Sequence, residues 1–201
     1  MMPVGEGNLK EVLNKMIDDA RNEGAELCML GVCKSMKQDL EDIFPGKFDI
    51  EPDRNYADYL YLRTDLATLT GKKFQPKRNH INKFRKSYNY EYAPITPELI
   101  SECLRLEAEW CRMNNCDQHE GTGNEGQAII YALEHFEEIG LTGGLFRVDG
   151  QIVAFTFGMP INFDPFVVHV EKAVTRFEGA YSAINFEFSN LIPEQFTFIN
   201  R

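Results

Sequence analysis

Three ionisable side chains lie close together in one apolar segment of the sequence. His169, Glu171 and Lys172 interrupt FVVHVEKAV, whose valines otherwise predict a buried β-strand. Successive strand residues face opposite sides, so we expect His169 and Glu171 on one face and Lys172 on the other. Ionisable groups in a central strand need partners or a cleft. The pattern favours a catalytic cleft, with a structural network of charges as the alternative.

A strongly basic segment lies earlier in the chain. Residues 71–86, GKKFQPKRNHINKFRK, hold seven of the 21 Lys and Arg and no acid, although the net charge of the chain is −10. The usual i,i+4 ion pairs are therefore missing, and Pro76 near a helix start would leave backbone N–H groups free to face an anion. We predict a site for a phosphate-bearing ligand rather than a solvated helix face. Its predicted binding residues are Lys72, Lys73, Lys77, Arg78, Asn79, Asn82 and Lys83.

A turn after the HVEK segment is a second candidate anion site. Arg176 and Gly179 lie between the predicted strand and the helix that follows it. A glycine at such a turn can present backbone N–H groups and a helix N-terminus to a phosphate. Taken alone, this single glycine is a weak signal.

One cysteine-containing segment offers candidate metal ligands. Cys111, Cys116 and His119 lie within nine residues, but the Cys-x4-Cys spacing is loose and no second cysteine pair follows. Buried thiols are the favoured interpretation, and no metal site is predicted. A cysteine nucleophile paired with His119 or His169 stays open, although no local signature supports it.

The composition is typical of a globular protein, with 43% hydrophobic and 26% charged residues. No apolar stretch is long enough to predict a transmembrane segment. The N-terminal sequence does not resemble a secretory signal, and five irregularly spaced cysteines favour a reducing, cytoplasmic location. A pI near 4.9 argues against a general nucleic-acid coat but not against one local anion site.

Hydrophobic periodicity divides the chain into helices and strands. The clearest helix begins at Asn8, which with Glu11 three residues later resembles a capping box, and the clearest hairpin turns at Asp149-Gly150. The predicted helices cover residues 8–23, 35–44, 76–87, 97–113, 125–138 and 179–192. The predicted strands cover residues 26–33 and 56–63, the two arms of the hairpin, residues 166–174 and the final FTFINR.

This order of elements predicts an α+β or mixed α/β fold. Helices and strands alternate in the first sixty residues, which favours a mixed sheet covered by helices. The final FTFINR is an apolar strand, and such a strand at the edge of a sheet would be prone to aggregation. We therefore expect that both ends are cut from a longer parent.

Several of these segments, taken in order, resemble one known family. They are similar to the phosphatidylglycerol lysyltransferase C-terminal domain family, which is related to the Fem-type aminoacyl transferases of peptidoglycan synthesis. The resemblance covers about residues 8–201, and GKK…KRNHINKF is its most specific part. The other segments that carry it are DYLYLRTDLATLT, GGLFRVDGQIVAFTFG, FVVHVEKA and GAYSAINFEF.

The resemblance implies a tandem pair of GNAT-like acyltransferase lobes. Residues 1–62 then correspond to the C-terminal part of a first lobe, residues 63–75 to a connector, and residues 76–201 to most of a second lobe, truncated at its C-terminus. In this family the turn with Arg176 and Gly179 stands where GNAT enzymes bind the pyrophosphate of coenzyme A. Tyr181 replaces a small residue there, which leaves room for a bulkier donor.

The function that the resemblance implies is aminoacyl or acyl transfer. An aminoacyl-tRNA, or another phosphate-bearing donor, would be the co-substrate, with no tightly bound cofactor. The acceptor would be an amine or hydroxyl of a small molecule, lipid or peptide. Glu171 or His169 would take the proton of the acceptor or hold the aminoacyl ammonium. Lys172 or Lys77 would stabilise the oxyanion.

Two other classes of function stay open on the sequence. An acetyl-CoA-dependent N-acetyltransferase would bind coenzyme A and not tRNA. A non-catalytic RNA- or anion-binding module would bind through the basic segment in a salt-sensitive manner and without turnover.

Overall fold

The computed structural model describes residues 2–3, 5–114, 122–161 and 164–201, and it separates into two compact units. Unit 1 is Met1–Asp58 and unit 2 is Tyr59–Arg201. The division lies a few residues before the predicted boundary at 62. Residues 63–75, predicted to be a connector, lie within unit 2.

Unit 1 is built on two amphipathic helices, α1 (Leu9–Asn22) and α2 (Lys34–Ile43). The predicted N-cap of α1 is confirmed: the Asn8 side-chain oxygen accepts a hydrogen bond from the Glu11 backbone N–H at 3.3 Å, and the Asn8 side-chain amide donates to the Glu11 carboxylate at 3.1 Å. Leu13 and Leu40 are fully buried and form the centre of a small core. Helix patterning therefore predicts the two helices of this unit well.

The predicted strand over residues 26–33 is not formed. These residues have no regular secondary structure, and they alternate only between half-buried and exposed positions. A strand needs the backbone of a neighbouring strand, and the described part of unit 1 offers none. The predicted strand over 56–63 is likewise reduced to three residues, which belong to unit 2.

Unit 2 is a six-stranded sheet with helices on both faces. The predicted helix over 125–138 is split in two, and a 3₁₀ turn at Pro97–Leu99 precedes the long helix. The elements are β1 (Leu60–Leu62), α3 (Arg63–Thr68), α4 (Gln75–Ser87), β2 (Tyr90–Pro94), α5 (Ile100–Met113), α6 (Thr122–Glu134), α7 (Phe136–Ile139), β3 (Thr142–Val148), β4 (Gln151–Pro160), β5 (Phe166–Ala173), α8 (Ala180–Leu191) and β6 (Phe198–Asn200).

The strand order is β1-β6-β5-β4-β3-β2, and only β5 and β6 are parallel. Strand β6 therefore lies between β1 and β5 and is not an edge of the sheet. The predicted hairpin between β3 and β4 is confirmed. Asp149 and Gly150 have φ angles of 50° and 81°, the left-handed values that a tight hairpin turn requires.

Helices α4 and α8 cover one face of the sheet, and α5, α6 and α7 cover the other. The first layer is aromatic, with Phe84 of α4 stacked on Phe146 of β3 at 5.2 Å between ring centroids. The second layer packs Cys103 and Leu106 of α5 against Phe155 of β4. None of the helices that the structure describes combines the length and hydropathy needed to cross a bilayer.

Strand β5 contains a β-bulge at the HVEK segment. Phe157 of β4 pairs with Val170, and the next residue, Gly158, pairs with Val168, so His169 has no counterpart. Val168 consequently packs toward Phe188 of α8, whereas Val170 packs toward α5. The prediction that His169 and Glu171 share one face assumed an unbroken alternation, which the bulge interrupts.

Candidate active site

The three predicted catalytic residues lie in three different environments. Glu171 is held on the α8 side of the sheet by Asn185, a buried residue of α8. Lys172 is buried on the α5 side. His169 reaches solvent at the bulge, and the covered part of its ring lowers the pKa of the imidazole. The structure therefore confirms the predicted separation of Glu171 from Lys172, and it does not bring the three into one site.

Glu171 lies in a cluster that we call the Glu171 site, formed by Lys77, Glu171, Asn185 and Arg201. Arg201 donates to its Oε1 at 2.7 Å, and the Asn185 side-chain amide donates to its Oε2 at 3.1 Å. The Glu171 side chain is only 9% exposed. A buried carboxylate is stable only with such partners. The site therefore holds one buried carboxylate, with one oxygen bonded to Arg201 and the other to Asn185.

The charges of the Glu171 site act on one another. Burial raises the pKa of the Glu171 carboxyl, and the Arg201 charge, the Asn185 hydrogen bond and the Lys77 charge oppose that rise. Burial and the Arg201 charge lower the pKa of the Lys77 amine, while the Glu171 charge opposes that change. Perturbed carboxylates and amines of this kind are typical of catalytic sites.

The position of the Glu171 site follows from the sheet. Strands β5 and β6 pair only at Phe166–Ile199 and Val167–Asn200. Beyond these pairs, Glu171 on β5 and Arg201 after β6 contact each other through their side chains instead of their backbones. Lys77 approaches from α4, with its Nζ 5.9 Å from the ring centroid of Tyr61 in β1. Four elements therefore position this site.

Lys172 lies in a second cluster, the Glu107 site, formed by Glu107, Trp110, Glu125 and Lys172. Its Nζ is 3.5 Å from the centroid of the Trp110 ring and 3.2 Å from the Glu125 carboxylate. Both the indole and the carboxylate stabilise the ammonium charge. Lys172 is thus engaged by its own protein and lies on the opposite face from Glu171.

The basic segment is more strongly paired than its sequence predicts. Acids from other parts of unit 2 contact three of its cations: Lys73 pairs with Asp65 at 2.8 Å, Lys83 with Glu178 at 2.6 Å and Arg85 with Glu187 at 2.7 Å. A shallow groove remains along the exposed side of α4. Its lining residues are Asn79, Asn82, Lys83, Lys86 and Ser87.

Arg78 has a structural task within the basic segment. Its guanidinium donates to the backbone carbonyls of Leu69 and Gly71 and to the Gln75 side chain. Leu69 adopts a left-handed φ of 50°, so these bonds hold a sharp turn between α3 and α4. Phosphate binding by Arg78 stays a prediction, and it would have to compete with these three contacts.

Replacing Arg78 with methionine is expected to lower the free energy of unfolding of unit 2 by about 1–3 kcal/mol, because three charge-assisted hydrogen bonds are lost. Replacing the exposed Lys86 with methionine should change it by less than about 0.5 kcal/mol. Urea denaturation followed by the fluorescence of the single tryptophan measures both. Equal midpoints for the two variants would contradict the structural task of Arg78.

The turn with Arg176 and Gly179 is also engaged in packing. Arg176 pairs with Glu109 of α5 at 3.1 Å. Gly179 has a φ of 90°, and a Cβ there would lie 2.3 Å from the backbone oxygen of His80 in α4. The close approach of α4 and the positive φ explain this glycine. Its contact with a donor phosphate stays a prediction.

The described cysteines differ in accessibility. Cys103 is fully buried, and burial together with the Glu102 charge raises its pKa to about 12. Cys28 and Cys33 are exposed, and hydrogen bonds from the Ser35 side chain and the Met36 backbone lower the pKa of Cys33. Cys116 and His119 lie outside the described residues. Among the described residues, no group of three or more His, Cys, Asp and Glu side chains is arranged to hold a metal ion.

At neutral pH, iodoacetamide should modify Cys33 faster than Cys28 and should spare Cys103 while the protein is folded, because the thiolate is the reactive form. Mass spectrometry of peptides after short labelling pulses measures the three rates. In urea the three rates should converge. Labelling of Cys103 at the rate of Cys28 in the folded protein would show that α5 opens readily from the sheet.

The model of the family described as "Phosphatidylglycerol lysyltransferase, C-terminal" matches residues 1–200. The chain belongs to this family. The resemblance seen in the sequence is therefore confirmed over the whole chain. No curated protein matches the sequence.

Two solved structures resemble this member of the phosphatidylglycerol lysyltransferase C-terminal family. One is a conserved protein of unknown function from Bacteroides thetaiotaomicron, with 65% identity and a TM-score of 0.89; the match covers 100% of this chain and 68% of that one. The other is the C-terminal domain of a protein assigned as a lysylphosphatidylglycerol synthetase from Agrobacterium fabrum, with 14% identity and a TM-score of 0.65. That match covers 96% of this chain and 59% of the other, and it shows a shared fold.

Sequence reasoning missed two residues of the Glu171 site, Asn185 and Arg201. Asn185 is a polar residue on the buried face of α8, and its position among Ala183, Ile184 and Phe188 was a usable signal. No sequence pattern marks Arg201 as a member of the site, because its contact with Glu171 depends on β6 lying beside β5. Sequence reasoning gave Lys77 two roles, phosphate binding and stabilisation of the oxyanion, and the structure places its charge near Glu171.

Proposed function

We propose that this protein is an aminoacyltransferase of the GNAT type, in which the Glu171 site performs the chemistry. It would move an aminoacyl group from an aminoacyl-tRNA to a hydroxyl or amine acceptor, with no tightly bound cofactor. The observation that carries the proposal is the buried Glu171 carboxylate, held by Arg201 and Asn185 close to Lys77. Family membership supports transfer chemistry as the reaction class.

The arrangement of unit 2 supports a GNAT-like lobe. Its sheet is antiparallel except for β5 and β6, and α8 connects these two strands in the chain. The two strands stop pairing beyond Val167, next to a bulge. A cleft between strands that separate is a common place for a ligand in an α/β enzyme. The Glu171 side chain lies at this separation.

The proposed reaction is an ester exchange or aminolysis. The acceptor oxygen or nitrogen attacks the ester carbonyl of the donor, and the new bond forms as the bond to the tRNA ribose breaks. The acceptor proton passes to the Glu171 carboxylate and then to the departing ribose hydroxyl. The Lys77 ammonium stabilises the oxyanion of the intermediate. Lys172 is not assigned this role, because it lies on the opposite face against Trp110.

The exposed side of α4 is the proposed contact for the donor. Lys72 and Lys86 are exposed, and the groove along α4 combines lysines with the amides of Asn79 and Asn82. Ammonium and amide groups both donate to phosphate oxygens. We infer that tRNA, or another phosphate-bearing donor, lies along this helix. Binding should then weaken as salt is raised.

The acceptor is proposed to be a lipid hydroxyl. The family description names phosphatidylglycerol, and the Agrobacterium fabrum neighbour is assigned as a lysylphosphatidylglycerol synthetase. The glycerol headgroup of such a lipid offers the hydroxyl that the reaction needs. Small-molecule and peptide amines are the alternatives, and the products distinguish them.

Incubation with radiolabelled lysyl-tRNA and phosphatidylglycerol vesicles tests the proposal. Label should appear in the lipid phase in an enzyme-dependent manner, and free lysine with bare tRNA should give none. Acetyl-CoA in parallel tests the acetyltransferase alternative. Label transfer from acetyl-CoA alone, or donor binding without turnover under all conditions, would overturn the assignment as an aminoacyltransferase.

A further inference from the structure

Glu107 is a buried carboxylate that the proposed transfer reaction does not use. It lies in α5 with 3% of its surface exposed. Its Oε2 is buried and has no hydrogen-bond partner among the described residues. A buried acceptor without a donor is unfavourable, and most buried polar atoms in proteins are paired. No donor from the part of the chain that the structure describes therefore satisfies this oxygen.

The Glu107 site holds more carboxylates than ammonium groups. The carboxylates of Glu107 and Glu125 face one ammonium, that of Lys172, which contacts Glu125 at 3.2 Å. Burial raises the pKa of Glu107; the Lys172 charge opposes that rise and the Glu125 charge adds to it. One further positive group would balance the site.

The third component of the Glu107 site is aromatic. The face of Trp110 is already in contact with the Lys172 ammonium, 3.5 Å above the ring centroid. The indole is held in place because its Nε1 donates to the Tyr181 hydroxyl at 2.9 Å. An indole face beside carboxylates is the combination that recognises ammonium groups. It does not suit Mg²⁺ or Ca²⁺, which require about six oxygen ligands.

The Glu107 site is accessible at one side. The Glu125 side chain is 50% exposed, so this carboxylate connects the buried Glu107 with solvent. Gly126 next to it has no side chain, and a Cβ built there would have Glu107 Oε1 as its neighbour at 3.9 Å. The space of one methyl group is therefore open at Gly126, next to Glu107.

We propose that the Glu107 site binds the primary ammonium group of a small ligand. Glu107 Oε2 accepts the N–H bonds of the ligand, Glu125 contributes the second carboxylate, and Trp110 provides the apolar wall. Lys172 shows the preference of the site, since its own ammonium lies on the same indole. This inference goes beyond the proposed transferase activity and does not depend on it.

Trp110 makes the proposal directly testable, because it is the only tryptophan of the chain and belongs to the site. The full chain is titrated with n-butylammonium chloride at constant ionic strength, and the tryptophan fluorescence is recorded. A saturable change is expected. Neutral n-butanol, which has a similar shape, should give none. Absence of a saturable response to n-butylammonium would overturn the proposal and would indicate that a proton alone satisfies Glu107.

Glu107→Gln is the decisive variant, since it keeps the shape and removes the charge. Its affinity for n-butylammonium should fall by about tenfold or more, the effect of one lost charge-assisted hydrogen bond. Glu109→Gln is the matched control, because Glu109 lies on the same helix but pairs with Arg176. It should retain the affinity of the unmodified chain. Equal affinity in Glu107→Gln and the unmodified chain would overturn the proposal.

Gly126→Ala provides a second test that keeps both carboxylates. Alanine favours the helix, and its methyl group makes only ordinary contact with Glu107. The variant should therefore fold, while the methyl group narrows the approach to Glu107. The affinity for n-butylammonium should fall several-fold. An unchanged affinity would overturn the proposed binding position even where Glu107→Gln does not fold.

Discussion

Replacing Glu171 with glutamine is expected to lower the rate of aminoacyl transfer by about 10²–10⁴-fold, the usual contribution of a general base. Glutamine has nearly the same shape and can still accept a hydrogen bond from Arg201 or Asn185. It can neither take a proton nor attract an ammonium. Transfer of label from lysyl-tRNA to lipid, measured at several donor concentrations, gives kcat and KM separately.

The kinetic pattern identifies what the carboxylate does. Loss of kcat with little change in KM indicates proton transfer, whereas a raised KM for the donor indicates that Glu171 holds the aminoacyl ammonium. Because burial raises the pKa of Glu171, the rate of the unmodified protein should rise with pH at higher values than a free carboxyl would give. This dependence should disappear in the Glu171→Gln variant.

Glu187→Gln is the matched control for this experiment. Glu187 also lies on α8, but it pairs with Arg85 at 2.7 Å and is not part of the Glu171 site. The control should retain transfer within about twofold, since most substitutions away from such a site have small effects. Full activity of Glu171→Gln would exclude Glu171 from the chemistry and leave Lys77 and His169 as the candidate catalytic residues.

Replacing Gly158 with alanine is expected to destabilise unit 2 by about 3 kcal/mol or more. A Cβ at this position would lie 2.0 Å from the carbonyl oxygen of Val167 and 2.9 Å from its carbonyl carbon. Both atoms belong to the backbone of β5, so the strand itself would have to move. The conflict lies at the bulge that precedes Glu171, and transfer activity should fall with stability.

Urea denaturation followed by Trp110 fluorescence measures the effect of Gly158→Ala within unit 2. Gly126→Ala is the control, because it lies in α6 with no close contact at the added carbon. The control should leave the midpoint unchanged or raise it, by up to about 1 kcal/mol in free energy of unfolding. A midpoint for Gly158→Ala equal to that of the unmodified chain would show that β4 and β5 are less closely paired than described.

Much of unit 2 could be predicted from local sequence. The hairpin at Asp149-Gly150 and the start of α4 near Pro76 follow from backbone preferences of single residues. The strand over residues 26–33 could not be excluded in this way, because an apolar run predicts a strand only if a partner exists. The same limit applied to β6, whose position inside the sheet depends on pairing with β1.

The sequence predicted some residues of the candidate site, such as Glu171, but not which residues contact one another there. Glu171 was identified because a carboxylate in an apolar strand needs a partner. Which partner it finds depends on residues distant in sequence, and Arg201 and Asn185 could not be assigned before the topology was known. The pairing of the basic segment was missed for the same reason, because acids such as Asp65 and Glu187 lie outside it.

The bulge at His169 also determines which changes of length β5 can accept. Val168 and Val170, on either side of the bulge, face opposite sides of the sheet. Adjacent residues of a regular strand do the same. Deletion of His169 would therefore join Val168 to Val170 in a continuous ladder and leave Glu171 and Lys172 on their present faces. Deletion of Val170 would close the bulge as well, but it would place His169 opposite Phe157 in the buried position that Val170 occupies. Relatives that lack one residue in this strand should lack it at the bulge.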